Sequence, residues 1–203
     1  MHDRIIALSF ELFSRLGIRS VTMDEIARKL GVSKKTIYQC FPNKEALLLA
    51  TLEQEFEKQE QQMRSIIDLA ADPVDAFLKL SGFAKEMHAR SNPLVLHEIE
   101  RYYPKGWTAY LDFKHKVVQH NMSALLQQGV DRAFFRQDLN VKVMAVLRME
   151  QLEYCFRPNL FPRATFQYEE VYQQIADHFL LGIVTEKGLH TLQNINQSNK
   201  TAN

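Results

Sequence analysis

Apolar residues recur every three or four positions along most of the 203-residue chain, the spacing of helices that bury one face. No stretch alternates apolar and polar residues as a half-buried strand does, and no segment repeats. The pattern predicts an all-α protein. Ile5, Leu8, Ser9, Leu12, Phe13 and Leu16 mark a first helix from about Asp3, ended by Gly17. Met23, Ile26, Ala27 and Leu30 mark a second, short helix, opened by Thr22 and Glu25 in capping-box spacing. Gly31 suits its left-handed end, Val32 can plug the corner, and Ser33 can cap a third helix, Lys34–Phe41, which Pro42 stops. Asn43 then caps a long helix from Lys44. Its early part, Ala46–Ala50, is apolar, and its later part, Glu53 to Met63, is polar and expected to face solvent.

The rest reads as helices punctuated by prolines. Val74–Arg90 opens at Pro73 and carries Phe77, Leu80, Phe83, Ala84 and Met87 inward; Leu94–Tyr103 opens at Pro93 and closes at Pro104 and Gly106. A long helix follows from Trp107 to about Gly129. Val141–Phe156 and Tyr168–Glu186 form two apolar helices around a proline-bounded loop, Pro158 to Pro162. The polar end, Asn194–Asn203, is expected to fray.

Two short helices joined by a glycine turn, the second with Ile37 and Phe41 on one side and Lys34, Lys35, Thr36, Tyr38 and Gln39 on the others, make a helix-turn-helix. This is a DNA-reading arrangement. Lys34, Thr36 and Gln39 are candidates for base edges, since a glutamine amide presents a donor and an acceptor side by side to adenine. Tyr38 is a candidate for a phosphate. Thr22, Ser33 and Lys44 stand at helix starts, where backbone N–H groups favour phosphate, although Thr22 and Ser33 also serve as caps.

At these residues the chain resembles the tetracycline-repressor (TetR) family of transcription regulators. The matching stretches are Leu12-Phe13, Gly17, Thr22, Ile26-Ala27, Gly31-Val32-Ser33, Thr36-Ile37-Tyr38, Phe41 and Lys44-Glu45 with Leu47. They cover roughly the first quarter of the chain without a gap. The chain departs from the family at Gln39 and Cys40, where an aromatic and a histidine are common. The resemblance implies an N-terminal three-helix DNA-binding domain (1–46) and a larger helical ligand-binding and dimerisation domain (47–193), in which Gly129–Asn140 resembles the family's connector between its seventh and eighth helices; the polar tail (194–203) is expected from its composition to be disordered. It also makes the long helix from Lys44 a mechanical link between the two.

Charge refines this only locally. Net charge is +1, but residues 1–45 hold eight Lys/Arg against five Asp/Glu, and the other residues 17 against 19. That excess suits phosphate contacts and suits a solvated face equally. Cys40 and Cys155 make neither a disulfide framework nor a metal cluster and fit a reducing compartment. With no signal segment and no apolar run of ~20 residues, a cytoplasmic protein is expected.

The C-terminal part has two candidate tasks. Single reading units bury little DNA, so such proteins usually pair on palindromic operators with half-sites ~34–36 Å apart. Val143, Leu147, Gln151, Tyr172, Ile175, Phe179 and Ile183 are candidates for the homodimer interface, or else belong to the protomer's own core. Phe83, Met87, His97, Tyr103, Trp107 and Tyr110 are candidates to line a site for an unknown small-molecule effector, though such a stripe is more often core. The expected function is a homodimeric repressor released from DNA by its ligand, with a ligand-free regulator or an activator as alternatives. No nucleophile–base spacing, phosphate loop or HExxH pattern points to an enzyme, a metal or a cofactor. A helix-turn-helix used for protein assembly is a further alternative.

Overall fold

The computed structural model describes residues 1–89, 92, 94–155, 160–162 and 164–201. It begins with helices α1 (His2–Leu16), α2 (Met23–Leu30), α3 (Lys34–Cys40) and α4 (Lys44–Asp68). Local capping explains their starts. Thr22 Oγ1 accepts a bond from Glu25 N at 3.1 Å, Ser33 Oγ from Thr36 N at 3.1 Å, and Asn43 Oδ1 from Ala46 N at 2.8 Å. The turn between α2 and α3 passes through left-handed Gly31. Next come α5 (Pro73–Ala89), α6 (Leu94–Tyr102), α7 (Pro104–Phe113), α8 (Gln119–Asp131), α9 (Val141–Tyr154), α10 (Tyr168–Ile183) and α11 (Glu186–Thr201). Arg90, Pro93, Phe156 and Pro158, expected at helix ends or in the loop, lie outside the described residues. Among the described residues the structure is helical, with one isolated bridge between Phe135 and Val184.

The helices gather into two compact units that no single cut of the sequence separates. The first comprises Met1–Gln61 and Met87–His115, the second Gln62–Glu86 and Lys116–Asn203. In the first, Ile5, Leu12, Phe13, Ile18, Val21, Ile26, Ile37, Leu47 and Leu48 are buried in one core, and Ile99 of α6 joins them. Val95, Tyr103 and Trp107 pack against that core as well. Leu16, expected on the buried stripe of α1, is exposed. The polar part of α4 is less exposed than its composition suggests: Gln59 and Met63 are buried, and Phe56 stacks on Phe113 with ring centres 4.4 Å apart.

In the second unit Val74, Phe77, Leu80, Leu125, Leu126, Phe135, Ala145, Phe179, Leu180 and Ile183 form the main core. The connector after α8 turns at Ala133, and Phe134 and Phe135 donate their N–H groups to Gly129 O at 2.8 and 3.0 Å. Phe135 lies so close to Gly129 that a Cβ there would sit 1.9 Å from the ring. Three expectations change here. The helix expected from Trp107 starts at Pro104, and a π turn, Lys114–Val118, joins α7 to α8. The helix expected over Tyr168–Glu186 stops at Ile183, because Thr185 turns away to bond Phe134 O through its N–H at 3.0 Å and caps α11, accepting from Gly188 N at 3.2 Å. The polar end expected to fray is helical to Thr201, since Leu192 is buried and Ile195 packs on the core.

Candidate nucleic-acid interface

Ile37 is fully buried, and that anchor decides which side of α3 faces outward. Lys34, Lys35, Tyr38 and Gln39 are exposed, and Thr36 is half-buried with its hydroxyl 2.9 Å from Ser33 Oγ. Lys34 Nζ lies 2.7 Å from Asp24 Oδ1 on α2 and 5.9 Å from the Tyr38 ring centre. The hydrogen bond to Asp24 and its charge raise the Lys34 pKa, so the side chain stays cationic. Thr22 and Ser33 are exposed at their helix starts.

Lys44 behaves differently. Its Nζ turns back onto the α1–α2 corner, 3.5 Å from Arg19 O and 6.0 Å from the Phe13 ring centre. Burial lowers its pKa, opposed by the charge of Glu98. Its ammonium therefore helps to hold the bundle's corner.

Glu98 of α6 was not legible as a functional residue. Its Oε2 accepts from Ile18 N at 2.6 Å and Arg19 N at 3.2 Å, eighty positions away in sequence. Gly17 fits beneath it with φ +85°; a Cβ there would meet Glu98 Oε2 at 3.3 Å. Asn92 donates its N–H to Ser14 O at 2.9 Å and its side-chain amide to Arg15 O at 3.4 Å. The Arg19 guanidinium lies 4.5 Å from the Tyr102 ring centre. So Asn92, Glu98 and Tyr102 hold the corner that orients the helix-turn-helix. Short-range sequence pattern carries no signal for such pairings.

The other candidate residues divide. Tyr103 and Trp107 pack on the core of the reading bundle, with Trp107 stacked on Tyr110 at 5.2 Å, and His97 is exposed. Met87 belongs to the first unit and Phe83 to the second, where it packs on the main core. The six residues thus form no single cluster within either unit. Of the interface candidates, Tyr172, Phe179 and Ile183 are 2%, 3% and 0% exposed, so they serve the protomer's own core. Val143 and Leu147 are exposed on α9, as are Val146, Tyr154 and, on α10, Leu181. Gln151 and Ile175 line an open cleft of about 540 Å³ with Tyr154, Leu160, Phe161, Gln174 and His178.

Among the described residues no group of three or more His, Cys, Asp or Glu could hold a metal ion. No helix of the described residues is long and apolar enough to cross a membrane.

Comparison with known proteins agrees with this geometry. The family model for bacterial regulatory proteins of the tetR family matches residues 5–51, which include α2, α3 and their connecting turn. The HTH-type transcriptional repressor KstR2 of Mycobacterium tuberculosis is 24% identical over 143 residues, covering 69% of this chain and 72% of that repressor. A transcriptional regulator from Saccharomonospora viridis in complex with choline shares the fold, with TM-score 0.78, 19% identity, and coverage of 91% and 98% of the two chains. The regulator FadR from Bacillus subtilis in complex with stearoyl-CoA superposes with TM-score 0.71 at 16% identity, covering 90% of this chain and all of that one (100%). With a reading helix anchored at Ile37 inside the matched segment, residues 5–51 carry the N-terminal DNA-binding domain of bacterial regulatory proteins of the tetR family, and the solved neighbours share the all-helical fold beyond it.

Proposed function

We propose that this regulator is a homodimeric cytoplasmic repressor that a small-molecule effector releases from a palindromic operator. The observation that carries the reading is α3 itself: a short helix pinned by Ile37, with Lys34, Lys35, Tyr38 and Gln39 turned to solvent. A rigid helix with exposed cations and amides is what a major groove accepts. Lys34, Thr36 and Gln39 read base edges; Lys35, Tyr38, Thr22 and Ser33 meet the backbone; Lys44 supports the corner behind them.

Dimerisation falls to the face of α9 and α10 that the protomer leaves uncovered. Val143, Leu147, Gln151 and Ile175 remain in this interface, joined by Tyr154, Gln174, His178 and Leu181. An apolar patch of this kind is costly to leave wet, and a self-complementary face closes a two-fold pair.

The effector binds in the second unit. Solved neighbours of the same fold hold ligands as different as choline and stearoyl-CoA, so the fold leaves the ligand's chemistry to individual side chains. Since α4 runs through both units, a ligand that shifts it changes the separation of the two reading helices. A coupling of ~1–3 kcal/mol shifts DNA affinity by ~5–150-fold.

Selection of bound fragments from a random DNA pool tests the reading. A palindrome with half-sites one or two helical turns apart, bound with a steep salt dependence, is the expected result. Recovery of no preferred sequence, or of an unrepeated half-site bound by a monomer, would overturn it.

A further inference from the structure

Arg148 of α9 is 1% exposed, and it heads the described side chains that are fully buried when these are ranked by size. Its guanidinium carbon lies 5.3 Å from the Phe77 ring centre and 5.7 Å from those of Tyr172 and Phe179. Nη2 donates to Ser81 Oγ at 3.3 Å, beyond the usual range for such a bond. Nη1 is buried without a hydrogen-bond partner. No described carboxylate is paired with this cation.

Its neighbours do not supply the missing charge. Burial pushes the Cys155 thiol and the Tyr168 phenol up, and pushes Tyr172 up to about 12, so each stays neutral near neutral pH. Burial also lowers the Arg148 pKa, yet an arginine does not lose its proton in a protein. Ring faces attract the cation but leave its Nη1 donors unused. A sealed, uncompensated cation is strongly unfavourable in the folded chain, and a group of that kind calls for a partner. One turn along α9, Gln151 Oε1 is likewise buried without a partner; turned over, that amide presents a donor in its place.

We propose that Arg148 anchors the effector site of the second unit, and that the effector is an organic monocarboxylate with an apolar body. The inference rests on the ligand-gated reading above. One guanidinium balances one negative charge, and its planar fork matches the two oxygens of a carboxylate. A phosphate dianion would leave a surplus charge, and a quaternary ammonium would meet the cation head-on. Within the core the rings of Phe77, Tyr172 and Phe179 surround the guanidinium, so whatever follows the carboxylate meets apolar side chains.

Calorimetric titration and thermal unfolding of the full chain with benzoate, octanoate and myristate test this, with octanol and octyltrimethylammonium as the uncharged and cationic controls. At least one carboxylate is expected to bind saturably and raise the melting temperature, while neither control does. Arg148→Met should weaken that binding by roughly 10- to 100-fold. Without ligand, the same variant should melt at a higher temperature than the parent, because an uncompensated buried charge is gone. Binding of no carboxylate, equal binding by Arg148→Met, or a ligand-free variant that melts lower or fails to fold would overturn the proposal; the last would make Arg148 a structural brace. Operator binding measured on the same samples separates the two readings. A parent chain that binds DNA yet ignores every carboxylate loses the anchor alone. A carboxylate held by Arg148 without effect on DNA affinity removes the gating and leaves the anchor.

Discussion

Glu98 Oε2 accepts a hydrogen bond from the backbone N–H of Ile18 at 2.6 Å, tying the middle of α6 to the corner between α1 and α2. Ile18 is itself fully buried, so loss of the carboxylate leaves its N–H without a protein acceptor. Because α2 and α3 leave this corner as a rigid pair, the aim of the reading helix depends on a residue of another helix.

Removing the carboxylate should therefore act on both stability and DNA binding. Glu98→Ala leaves the Ile18 and Arg19 N–H groups without their acceptor and should cost about 1–3 kcal/mol. Glu98→Gln keeps an acceptor and should cost less. Thermal unfolding beside fluorescence anisotropy on the selected operator checks this. Equal operator affinity for all three chains would show that the corner does not aim α3.

Lys34 and Asp24 make the second prediction. In the free protein they form an exposed pair, which contributes little to stability. On DNA, Lys34 would leave Asp24 for the duplex. Lys34→Ala should weaken binding and reduce the slope of log affinity against log salt by about one. Asp24→Asn should strengthen binding, since a competing carboxylate and a like charge for phosphate are both removed. Salt titrations of the three proteins decide the matter.

The exposed and buried residues of the last large helices should respond in opposite ways to the same change. Leu147→Glu, on the uncovered face of α9, should leave the protomer folded and turn the proposed dimer into a monomer in sedimentation. Phe179→Glu, with its ring in the core beside Phe77, should unfold the second unit. A Leu147→Glu protein that remains a dimer would move the interface elsewhere.

Acid sensitivity follows from Asp75 near the start of α5. Its Oδ2 accepts from Lys79 Nζ at 2.7 Å and from Ala71 N at 2.9 Å. Burial alone would raise its pKa, but these hydrogen bonds and the Lys79 charge outweigh that and lower it. The unfolded chain then binds the proton more readily, so stability is fully present above the unfolded value of about 3.9 and falls as pH drops through the lowered folded value. Asp75→Asn should flatten this part of the profile and be less stable than the parent at neutral pH. Unfolding by urea at pH 3 to 7 measures both effects.

The starts of α2, α3 and α4 were determined by the sequence itself, because Thr22, Ser33 and Asn43 cap N–H groups three residues away and need no distant partner. So was the outward face of α3, since Ile37 within the helix and Phe41 just after it are the residues there suited to a core. Tertiary structure decided the rest wherever several faces were equally apolar or a partner lay far along the chain. Alpha-helix α9 has apolar residues all round it. Packing against Phe77, Tyr172 and Phe179 turned Arg148 inward and left Val143 and Leu147 outside, the reverse of what side-chain polarity alone suggests. Likewise the return of α6 to the reading bundle, with Ile99 in its core and Glu98 on its corner, joins residues some eighty positions apart. Local hydrogen bonds and spacing are written in neighbouring residues, whereas the choice among burial partners is made only when the whole chain competes for the same core.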